Sequence, residues 1–415
     1  MGSKHHNMQR KCRIALYSHD TMGLGHVRRN LLLAQTLVRS QLEPAVLMIA
    51  GAREAGRFAF PPGVDCVTLP ALRKDTPGGY ASRHLDVSLD ELSALRSRII
   101  RATLDEFEPD VLIVDNVPRG AVRELDPALA SLRARGHTRC VLGLRDILDE
   151  PEVVRWEWQR AANEEAIRAY YDAIWVYGDP AVYPLAQAYH FPRDLVAMTR
   201  YLGYLNQTAR IGPDADSDAE RSGVPALPPG RIILCLVGGG QDGARLAETF
   251  AEADLPDGAT GVILTGAFMP SDVHERLKRR AAGSPHLLVL PFVNEPGFLL
   301  RRAERVVAMG GYNTVTEVLS YRKHALIVPR VEPRLEQFVR AERLRDLGLL
   351  DVLHPDLLHP STLSAWLRRD PAGARSHDHV DLNGLQRLPR YLDELLASDP
   401  VNSGWTIDDA LALAL

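Results

Sequence analysis

Residues 13–38 have the sequence RIALYSHDTMGLGHVRRNLLLAQTLV, and the order of its three parts decides the fold. The apolar run at 13–17 predicts a buried strand, and a turn with two glycines follows it. In the third part, apolar residues recur at the spacing of one helix face. A strand, a glycine turn and a helix in this order are typical of a βαβ unit. The apolar helix positions are Val27, Leu31, Ala34 and Val38.

This order of elements repeats through the first half of the chain. Continuous apolar runs, of the kind buried on both faces of a parallel sheet, alternate with helical stretches. The alternation predicts a doubly wound parallel sheet. The predicted strands cover 44–51, 64–69, 110–116, 139–146, 173–179 and 201–205, and the predicted helices cover 27–39, 89–107 and 151–171.

A polar segment rich in proline, glycine and aspartate then interrupts the pattern, as a linker does. The strand and glycine turn restart in RIILCLVGGG, at 231–240, and four more buried strands follow. The predicted fold class is α/β, with two Rossmann-like doubly wound domains facing across a cleft. The predicted units are a first domain at 1–205, a linker at 206–230, and a second domain at 231–415 whose C-terminal helix, 385–396, is free to pack back on the first.

Composition excludes several classes of protein. The 415 residues carry a net charge of −4, so no global positive field favours binding to nucleic acid. The four cysteines share no motif spacing, which indicates neither a zinc site nor a disulfide framework and favours a reducing cytoplasm. No apolar run approaches the roughly 20 residues that span a bilayer. We therefore expect no transmembrane segment, while peripheral contact with a membrane stays open.

The first glycine turn, Gly23-Leu24-Gly25-His26, exposes backbone N–H groups at a helix start, which suits phosphate. It does not fit a dinucleotide fingerprint, because Arg28 stands where close helix–sheet packing requires a small residue. The second strand also ends without an acid for a ribose. A nicotinamide or flavin cofactor is therefore not expected, and no P-loop motif is present.

The histidine of this turn is the candidate catalytic base. A helix N-terminus disfavours imidazolium, which keeps His26 neutral and able to accept a proton. The alternative is a histidine that only caps the helix or packs in the loop. His19, earlier in the same loop, is a competing base, although orienting the loop is its more common role.

Residues at the carboxyl ends of neighbouring strands are candidate partners for His26 and for the acceptor. Asp115 ends the strand at 110–116 and can orient an imidazole, or alternatively cap the following helix. Arg145 and Asp146 end the next strand, where they can contact an acceptor or pair with one another.

The second half has two comparable loops. Gly238-Gly239-Gly240-Gln241 leaves no Cβ to obstruct a ligand, and Gly310-Gly311-Tyr312-Asn313-Thr314 precedes another helix. Glu317 lies one turn into that helix, where it can accept hydrogen bonds from a ribose diol. The alternative is a carboxylate that only complements the helix dipole.

The residues of the second half resemble a known family. The run at 303–350 is similar to the donor-binding region of glycosyltransferases of the B fold (GT-B), and in particular of the peptidoglycan N-acetylglucosaminyltransferase that makes lipid II (glycosyltransferase family 28). The loop GGGQDGA matches that family's GGSQGA loop with one residue inserted. The first half, SHDTMGLGHVRRNLLLAQTL, is similar to its N-terminal glycine loop, and more so to uncharacterised bacterial glycosyltransferase-like proteins. The matched positions are Gly310, Gly311, Thr314, Glu317, Pro329, Glu336, Gln337 and Ala341.

The resemblance implies a role for each position. The β-phosphate would lie over the Gly310–Thr314 loop, the backbone of Val293 against the nucleobase, and Glu317 against the ribose. Glu336 and Gln337 would contact the sugar hydroxyls. The family has Gln at the first of this pair and Asn at position 340, here Arg340, so the identity of the sugar is open. The predicted donor-binding residues are Gly25, Gly239, Gly240, Gln241, Val293, Gly310, Gly311, Asn313, Thr314, Glu317, Glu336 and Gln337.

We therefore expect an inverting, metal-independent transfer of a sugar from a nucleotide diphosphate, UDP or dTDP, to an acceptor hydroxyl. No DxD motif ends a strand, and glycine loops with helix N-termini can neutralise the departing diphosphate. No separate cofactor is expected, and His26, or alternatively His19, would take the acceptor proton. The sequence does not identify the acceptor.

Two other functions remain open at this point. GLGHVRR also resembles the G-x-G-H-x-x-R loop of the nucleotide-sugar hydrolase of pseudaminic acid biosynthesis, in which water would replace the acceptor. A catalytically silent nucleotide-sugar-binding protein would keep the donor site alone. UDP-sugar 2-epimerases share the fold, but their usual carboxylate pattern is not evident.

Overall fold

The structure is a computed structural model that describes residues 10–20, 23–74, 79–211, 227–369 and 379–398. In this part of the chain, two parallel sheets are flanked by helices, one sheet in each half. The predicted α/β fold with two Rossmann-like domains is confirmed.

The first sheet is built from apolar strands that are covered on both faces. The strands of the first half are β1 (Arg13–Ser18), β2 (Ala45–Ala50), β3 (Val64–Thr68), β4 (Leu72–Lys74), β5 (Tyr80–Ser82), β6 (Val111–Asp115), β7 (Arg139–Arg145), β8 (Ala173–Tyr177) and β9 (Thr199–Tyr201). All but β4 and β5 form one sheet in the order β3-β2-β1-β6-β7-β8-β9. Burial on both faces explains why β1, β6 and β8 are continuous apolar runs rather than alternating ones.

Helices connect these strands. They are α1 (Gly25–Val38), α2 (Leu89–Phe107), α3 (Asp126–Arg135), α4 (Pro151–Arg160), α5 (Asn163–Tyr170), α6 (Leu185–Ala188) and α7 (Arg193–Met198). The predicted helix at 151–171 is in fact two helices, since Ala162 has a left-handed φ of 50° between them. The predicted strand at 201–205 is also wrong in its bounds, because β9 ends at Tyr201 and Leu205 makes only an isolated bridge with Asn383.

The second half repeats the plan. Its strands are β10 (Arg231–Leu236), β11 (Ala259–Leu264), β12 (Leu287–Leu290), β13 (Ala303–Ala308), β14 (His324–Ile327) and β15 (Asp351–Val352). Its helices are α8 (Ala244–Glu252), α9 (Ser271–Ala282), α10 (Gly297–Arg302), α11 (Tyr312–Ser320), α12 (Glu336–Asp346), α13 (Pro360–Arg368) and α14 (Gly384–Ala397). The sheet order is β12-β11-β10-β13-β14-β15, which follows the order of the first sheet without a counterpart of β9.

In both sheets the strand order reverses beside the first strand. This switch point lies between β1 and β6 in one sheet and between β10 and β13 in the other. Loops that leave adjacent strands there run in opposite directions and open a crevice at the carboxyl edge, where doubly wound folds bind ligands. The glycine turns singled out above follow β1, β10 and β13, so all three lie at these two crevices.

The chain crosses between the two sheets twice. The described start of the predicted linker, Gln207–Arg210, contacts the second domain through a hydrogen bond from the Gln207 N–H to Ser320 Oγ at 3.0 Å. The rest of it, 212–226, lies outside the described residues. After α13 the chain returns to the first domain, where the backbone N–H of Tyr204 donates to the carbonyl of Asp381 at 2.8 Å.

The returning helix α14 packs against α1. The first domain is therefore discontinuous in sequence. The side of α14 that carries Leu385, Leu388, Leu392 and Leu395 is buried in the same apolar cluster as α1. No helix in the described part of the chain is both long and apolar enough to span a membrane.

Candidate active site

The predicted histidine and aspartate meet at the first switch point. His26 is the second residue of α1, and Asp115 is the last residue of β6, the strand next to β1. His26 Nδ1 lies 2.6 Å from Asp115 Oδ2, a hydrogen-bonding distance. The strand order thus brings together two residues that are 89 positions apart.

Arg29, one turn along α1, completes this cluster. Its guanidinium donates to both carboxylate oxygens of Asp115, with Nη2 at 2.6 Å from Oδ1 and 2.7 Å from Oδ2. Burial raises the pKa of the Asp115 carboxyl, but the positive charge of Arg29 and the hydrogen bonds from His26 and Arg29 outweigh it and hold that pKa well below its usual range. Asp115 is therefore a buried, ionised carboxylate. The sequence analysis included Arg29 only within the G-x-G-H-x-x-R resemblance and gave it no role, although its i+3 spacing from His26 is a usable signal.

The ionised carboxylate decides which nitrogen of His26 carries the proton. Arg29 Nη2 is also 3.0 Å from His26 Nδ1, but a guanidinium N–H and a protonated Nδ1 are both donors. Asp115 can only accept, so Nδ1–H donates to it and Nε2 is left as the proton acceptor. The His26 side chain is 20% exposed, in contrast to the fully buried Asp115.

A second aspartate, Asp20, holds the start of α1. Its Oδ1 accepts from the backbone N–H of Val27 at 3.1 Å, and its Oδ2 accepts from the Gly51 N–H at 3.2 Å and from the Ser18 hydroxyl at 2.5 Å. Burial raises the pKa of Asp20. The sequence analysis did not single out Asp20. A carboxylate of the protein therefore already occupies part of this helix N-terminus.

His19, the competing base, is deeply buried. Its ring centroid is 4.7 Å from that of His26, and its Nδ1 has no hydrogen-bond partner in the described structure. Burial, followed by the nearby His26, lowers the pKa of His19 well below its usual value. A neutral, enclosed imidazole beside His26 suits a packing or positioning role better than direct contact with an acceptor.

The loop after β13 faces this cluster. The Asn313 side chain donates from Nδ2 to the carbonyl of Gly25 at 2.8 Å, which joins the glycine loops of the two domains directly. A Cβ on Gly25 would lie 3.2 Å from that nitrogen, so the contact favours glycine there. At the start of α11, Gly311 makes no side-chain cap and the first turn has no acidic residue. Within the described ranges, no side chain therefore caps the N-terminus of α11, which has Thr314 in its first turn.

Glu317 is buried on α11 and already has a cationic partner. Its Oε1 accepts from Arg210 Nη2 at 2.5 Å, and Arg210 also pairs with Glu295, Nε to Oε2, at 3.0 Å. The proximity of these two carboxylates overcomes burial and raises the pKa of Arg210. One Glu317 oxygen is thus engaged by the protein itself, and its contact with a ribose remains a prediction.

The predicted sugar-binding pair lies at the start of α12. Glu336 Oε1 accepts from Arg330 Nη2 at 2.6 Å, while its Oε2 is buried without a partner in the described structure. Gln337 Oε1 accepts from the backbone N–H of Arg330 at 3.1 Å. Arg330 also reaches Asp242, in the loop after β10, through Nη1 at 2.9 Å. Arg330 therefore connects the loop after β10 with the start of α12.

The loop after β10 requires its third glycine. Gly240 has φ +95°, and a Cβ there would lie 2.1 Å from the carbonyl oxygen of Thr265. The carbonyl of the preceding Gly239 accepts from the Phe268 N–H at 2.8 Å, which fixes the loop against its neighbour. Gln241, next in the chain, is exposed.

Val293 and Arg28 meet between the domains. The carbonyl of Val293 accepts from Arg28 Nη2 at 3.1 Å. Beside them is a cavity of about 260 Å³, which residues of both domains line. The position that the resemblance assigns to the nucleobase therefore also contacts the first domain.

Arg145 and Asp146 have separate environments, so the alternative that they pair with one another is wrong. Asp146 is 1% exposed and bound by the fully buried Arg340, with Nη2 to Oδ1 at 2.7 Å and Nε to Oδ2 at 2.9 Å. Tyr204 also donates to Asp146, at 2.9 Å. These bonds leave Asp146 joining the domains rather than facing an acceptor. Arg145 instead donates weakly to Asn116 Oδ1 at 3.3 Å, and burial lowers its pKa.

Two Rossmann-like domains that meet through loops at the carboxyl edges of their sheets have the GT-B architecture, and solved structures bear this out. The chain superimposes on the calicheamicin glycosyltransferase CalG4 with a TM-score of 0.56 at 16% identity, covering 98% of both chains. For MurG from Acinetobacter baumannii the TM-score is 0.52 at 15% identity, over 93% of this chain and 99% of the other. For the UDP-GlcNAc 2-epimerase from Methanocaldococcus jannaschii it is 0.56 at 11% identity, over 93% and 100%. At these identities the likeness shows the fold alone.

Curated proteins confirm the resemblance in sequence. The chain is 29% identical over 149 residues to the UDP-N-acetylglucosamine–N-acetylmuramyl-(pentapeptide) pyrophosphoryl-undecaprenol N-acetylglucosamine transferase of Mycobacterium tuberculosis and of Mycobacterium bovis. The match covers 35% of this chain and 36% of the relative, so the chain spans about a third of the length of the curated relatives that it matches. No protein-family model matches the chain.

Proposed function

We propose that the protein is an inverting glycosyltransferase that moves a sugar from a nucleotide diphosphate to an acceptor hydroxyl without a metal ion. One observation carries this proposal: the His26–Asp115 pair lies directly across from the uncapped N-terminus of α11. The Asn313–Gly25 hydrogen bond joins the loops that carry these two features. A proton acceptor and an anion-binding helix end thus share one crevice.

The donor diphosphate is proposed to bind at the start of α11. Backbone N–H groups and the positive end of the helix dipole there stabilise an anion. The same groups stabilise the negative charge that develops as the diphosphate leaves. The arrangement therefore supplies the electrostatic stabilisation that a divalent cation gives in other transferases.

His26 is proposed to activate the acceptor. Its Nε2 takes the hydroxyl proton while the acceptor oxygen forms a bond to the anomeric carbon. The bond from that carbon to the diphosphate oxygen breaks on the opposite face, so the configuration inverts. Asp115 stabilises the imidazolium that results, and Arg29 compensates the buried charge of Asp115.

Two cations of the first domain support an acceptor site beside His26. Arg145 ends β7, and Lys74 ends β4 in the hairpin that the sequence analysis did not predict. Burial lowers the pKa of both groups, and nearby arginines, Arg334 and Arg145 among them, lower that of Lys74 further. Neither has a carboxylate hydrogen-bond partner among the described residues. An acceptor group with negative charge would relieve this repulsion.

The hydrolase remains a second candidate, because its resemblance rests on the histidine and arginine that meet at Asp115. The test is to incubate the protein with UDP- and dTDP-sugars, with and without a panel of hydroxyl acceptors, and to measure nucleotide and sugar release. Transfer that depends on an acceptor supports the proposal. Release of free sugar without an acceptor supports the hydrolase, conversion to the 2-epimer supports an epimerase, and tight binding without turnover supports a silent binding protein.

A thermal-shift screen identifies the donor nucleotide independently of turnover. A ligand at a hundredfold its dissociation constant adds about 2.7 kcal/mol to stability. UDP is the first nucleotide to test, because the curated relatives are named as transferases that use a UDP-sugar. A shift with UDP or dTDP supports the donor class, and no shift with any nucleotide diphosphate contradicts it.

A further inference from the structure

Arg28 of the first domain contacts Val293 of the second domain, the position that the resemblance assigns to the nucleobase. It lies on α1, and its Nη2 donates to the carbonyl of Val293 at 3.1 Å across 265 positions of sequence. Its guanidinium carbon lies 5.8 Å from the ring centroid of Phe58 in the first domain and 5.6 Å from that of Phe292 in the second. Two aromatic rings, one from each domain, therefore position a guanidinium beside a carbonyl.

The pocket beside this contact has few uncommitted polar groups. Arg210, at one side, is bound to Glu317, Glu295 and Gln207. A guanidinium has five N–H donors, and Val293 is the one acceptor for Arg28 among the described residues. Arg28 also lines the cavity of about 260 Å³, which is close to the lower limit of ligand sites in size. Its remaining donors are the cationic hydrogen-bonding groups available to a molecule that enters there.

A backbone carbonyl beside a guanidinium offers a hydrogen-bond acceptor next to a donor. It is therefore complementary to a nucleobase edge on which a ring N–H lies next to a carbonyl. The Val293 oxygen has two lone pairs, so it can accept from a ligand N–H while it keeps Arg28. A base whose ring N–H is flanked by a carbonyl presents a donor beside an acceptor, and uracil and thymine do so on both sides of N3. Adenine has no exocyclic oxygen and offers an amine instead. The site therefore favours the carbonyl bases over adenine.

We propose that Arg28 is a specificity-determining residue that donates to an exocyclic carbonyl of the donor's base while Val293 accepts from the adjacent ring N–H. This inference rests on the proposed function, since it needs a nucleotide diphosphate in the cleft. It also divides base recognition between the domains, because Arg28 lies on the first and Val293 on the second. Base binding then depends on the two domains staying closed.

The test compares three probes by calorimetry: UDP, ADP and inorganic pyrophosphate. Arg28→Met removes the donors and keeps most of the length of the side chain. We expect it to weaken UDP binding by about 10- to 100-fold, the range for losing a hydrogen bond to a charged group. Pyrophosphate has no base, so its affinity should stay within about twofold of wild type, and the preference for UDP over ADP should largely disappear.

Arg39→Met is the matched control. Arg39 is the exposed residue that follows α1, so this variant also loses one positive charge, but away from the pocket. It should bind all three probes as the wild type does. Arg28→Lys keeps the charge but not the planar fork of donors, and it should recover only part of the UDP affinity. The melting temperature of each variant checks that it folds, and Arg28→Lys replaces Arg28→Met if the latter does not.

Each contrary result has a distinct meaning. Unchanged UDP affinity in Arg28→Met overturns the role of Arg28 and leaves the proposed function intact. Tighter UDP binding shows that Arg28 blocks the base, and an equal loss of UDP and pyrophosphate shows that it acts through the phosphates or through closure. Either outcome overturns the base contact. If the wild type binds none of the three probes, the proposed function itself fails.

Discussion

The glycine loops after β1 and β13 have the same place in their sheets, but different groups lie at the helix N-termini that follow them. Each follows a buried parallel strand at a switch point and leads into a helix, α1 in the first domain and α11 in the second. At the start of α1 the protein supplies its own carboxylate, because Asp20 accepts from the Val27 N–H. At the start of α11, no side chain in the part of the chain that the structure describes caps the helix. In the proposed function, the helix start that Asp20 caps carries the base, and the start of α11 receives the diphosphate.

The carboxylates near the start of α1 also bear on the proposed role of His26, because a base at a helix N-terminus becomes positively charged when it accepts a proton. The partial positive charge there opposes a protonated imidazole. In the first loop, Asp20 and Asp115 both bring negative charge to that end of α1, and Arg29 offsets one of them. Among the described residues, no carboxylate accepts from the first backbone N–H groups of α11, so the positive potential at that helix start is not offset in this way.

The largest effect is expected from the base of the first loop. His26→Asn should reduce turnover by roughly 10²- to 10⁴-fold, the range for losing general-base catalysis. UDP affinity should be unchanged, because His26 is proposed to contact the acceptor and not the nucleotide. Asp115→Asn should act in the same direction, and the double variant should lose much less than the sum of the two. Steady-state kinetics and calorimetry measure both quantities, and near-wild-type turnover in His26→Asn would transfer the role to His19 or Asp115.

The second-largest effect is expected on stability, when the ion pair between the two domains is broken. Arg340→Met removes one partner of the buried Arg340–Asp146 ion pair and leaves Asp146 uncompensated. The expected loss of stability is about 3–5 kcal/mol. Arg368→Met is the control, because Arg368 and Asp254 form an exposed pair, and such pairs contribute little. Urea unfolding of both variants measures this difference, and equal losses would contradict a structural role for the interdomain pair.

A smaller effect is expected when the second loop is made to resemble the first. Gly311→Asp places a carboxylate at the N-cap of α11, where the extended backbone of Gly311 (φ −62°, ψ 144°) suits an N-capping residue. The carboxylate should compete with phosphate and weaken UDP binding by about tenfold, while stability is kept or raised slightly. Gly311→Ala is the control, since a Cβ there meets no atom within 4 Å. Calorimetric UDP affinities that are equal in the two variants would exclude α11 as the phosphate site.

The smallest effect is on the pH dependence of stability. Burial holds the pKa of His19 below its usual 6.5, so the folded state keeps this group neutral while the unfolded chain protonates it. Below pH 6.5 the unfolded state thus binds more protons than the folded state. The free energy of unfolding therefore decreases as the pH is lowered, by up to about 1.4 kcal/mol per pH unit. His19→Gln should flatten this slope between pH 6.5 and 5, whereas His137→Gln, at an exposed site, should not. Unfolding free energies at several pH values test the comparison, and a slope that His19→Gln leaves unchanged would contradict it.

The features that depend on strand order, the two sheets and the His26–Asp115 pair, could be predicted from the sequence. The contacts between the two domains could not. Apolar runs, glycine turns and helical spacing were enough for both sheets. The ends of neighbouring parallel strands lie at one edge, so the closeness of His26 and Asp115 followed from topology. Arg340 pairs with Asp146 across 194 positions, and no periodicity encodes that contact.

Other residues were missed for a local reason. Charged residues near a helix start usually face solvent, which hid the roles of Arg28 and Arg29. Asp20 was missed because its left-handed backbone (φ 39°) turns its carboxylate towards the Val27 N–H, seven residues along the chain. The hairpin of β4 and β5 was missed because its strands have only three residues each.

The return of α14 to α1 has a consequence for synthesis. A chain leaves the ribosome from its N-terminus, and domains generally fold as units during synthesis. The second sheet and its helices are contiguous up to α13, so they can assemble as soon as that stretch has emerged. α1 packs on β1 and β2 as well, but the part of it that faces α14 stays uncovered until α14 is made, almost 350 residues later. The domain that is translated first is therefore completed last.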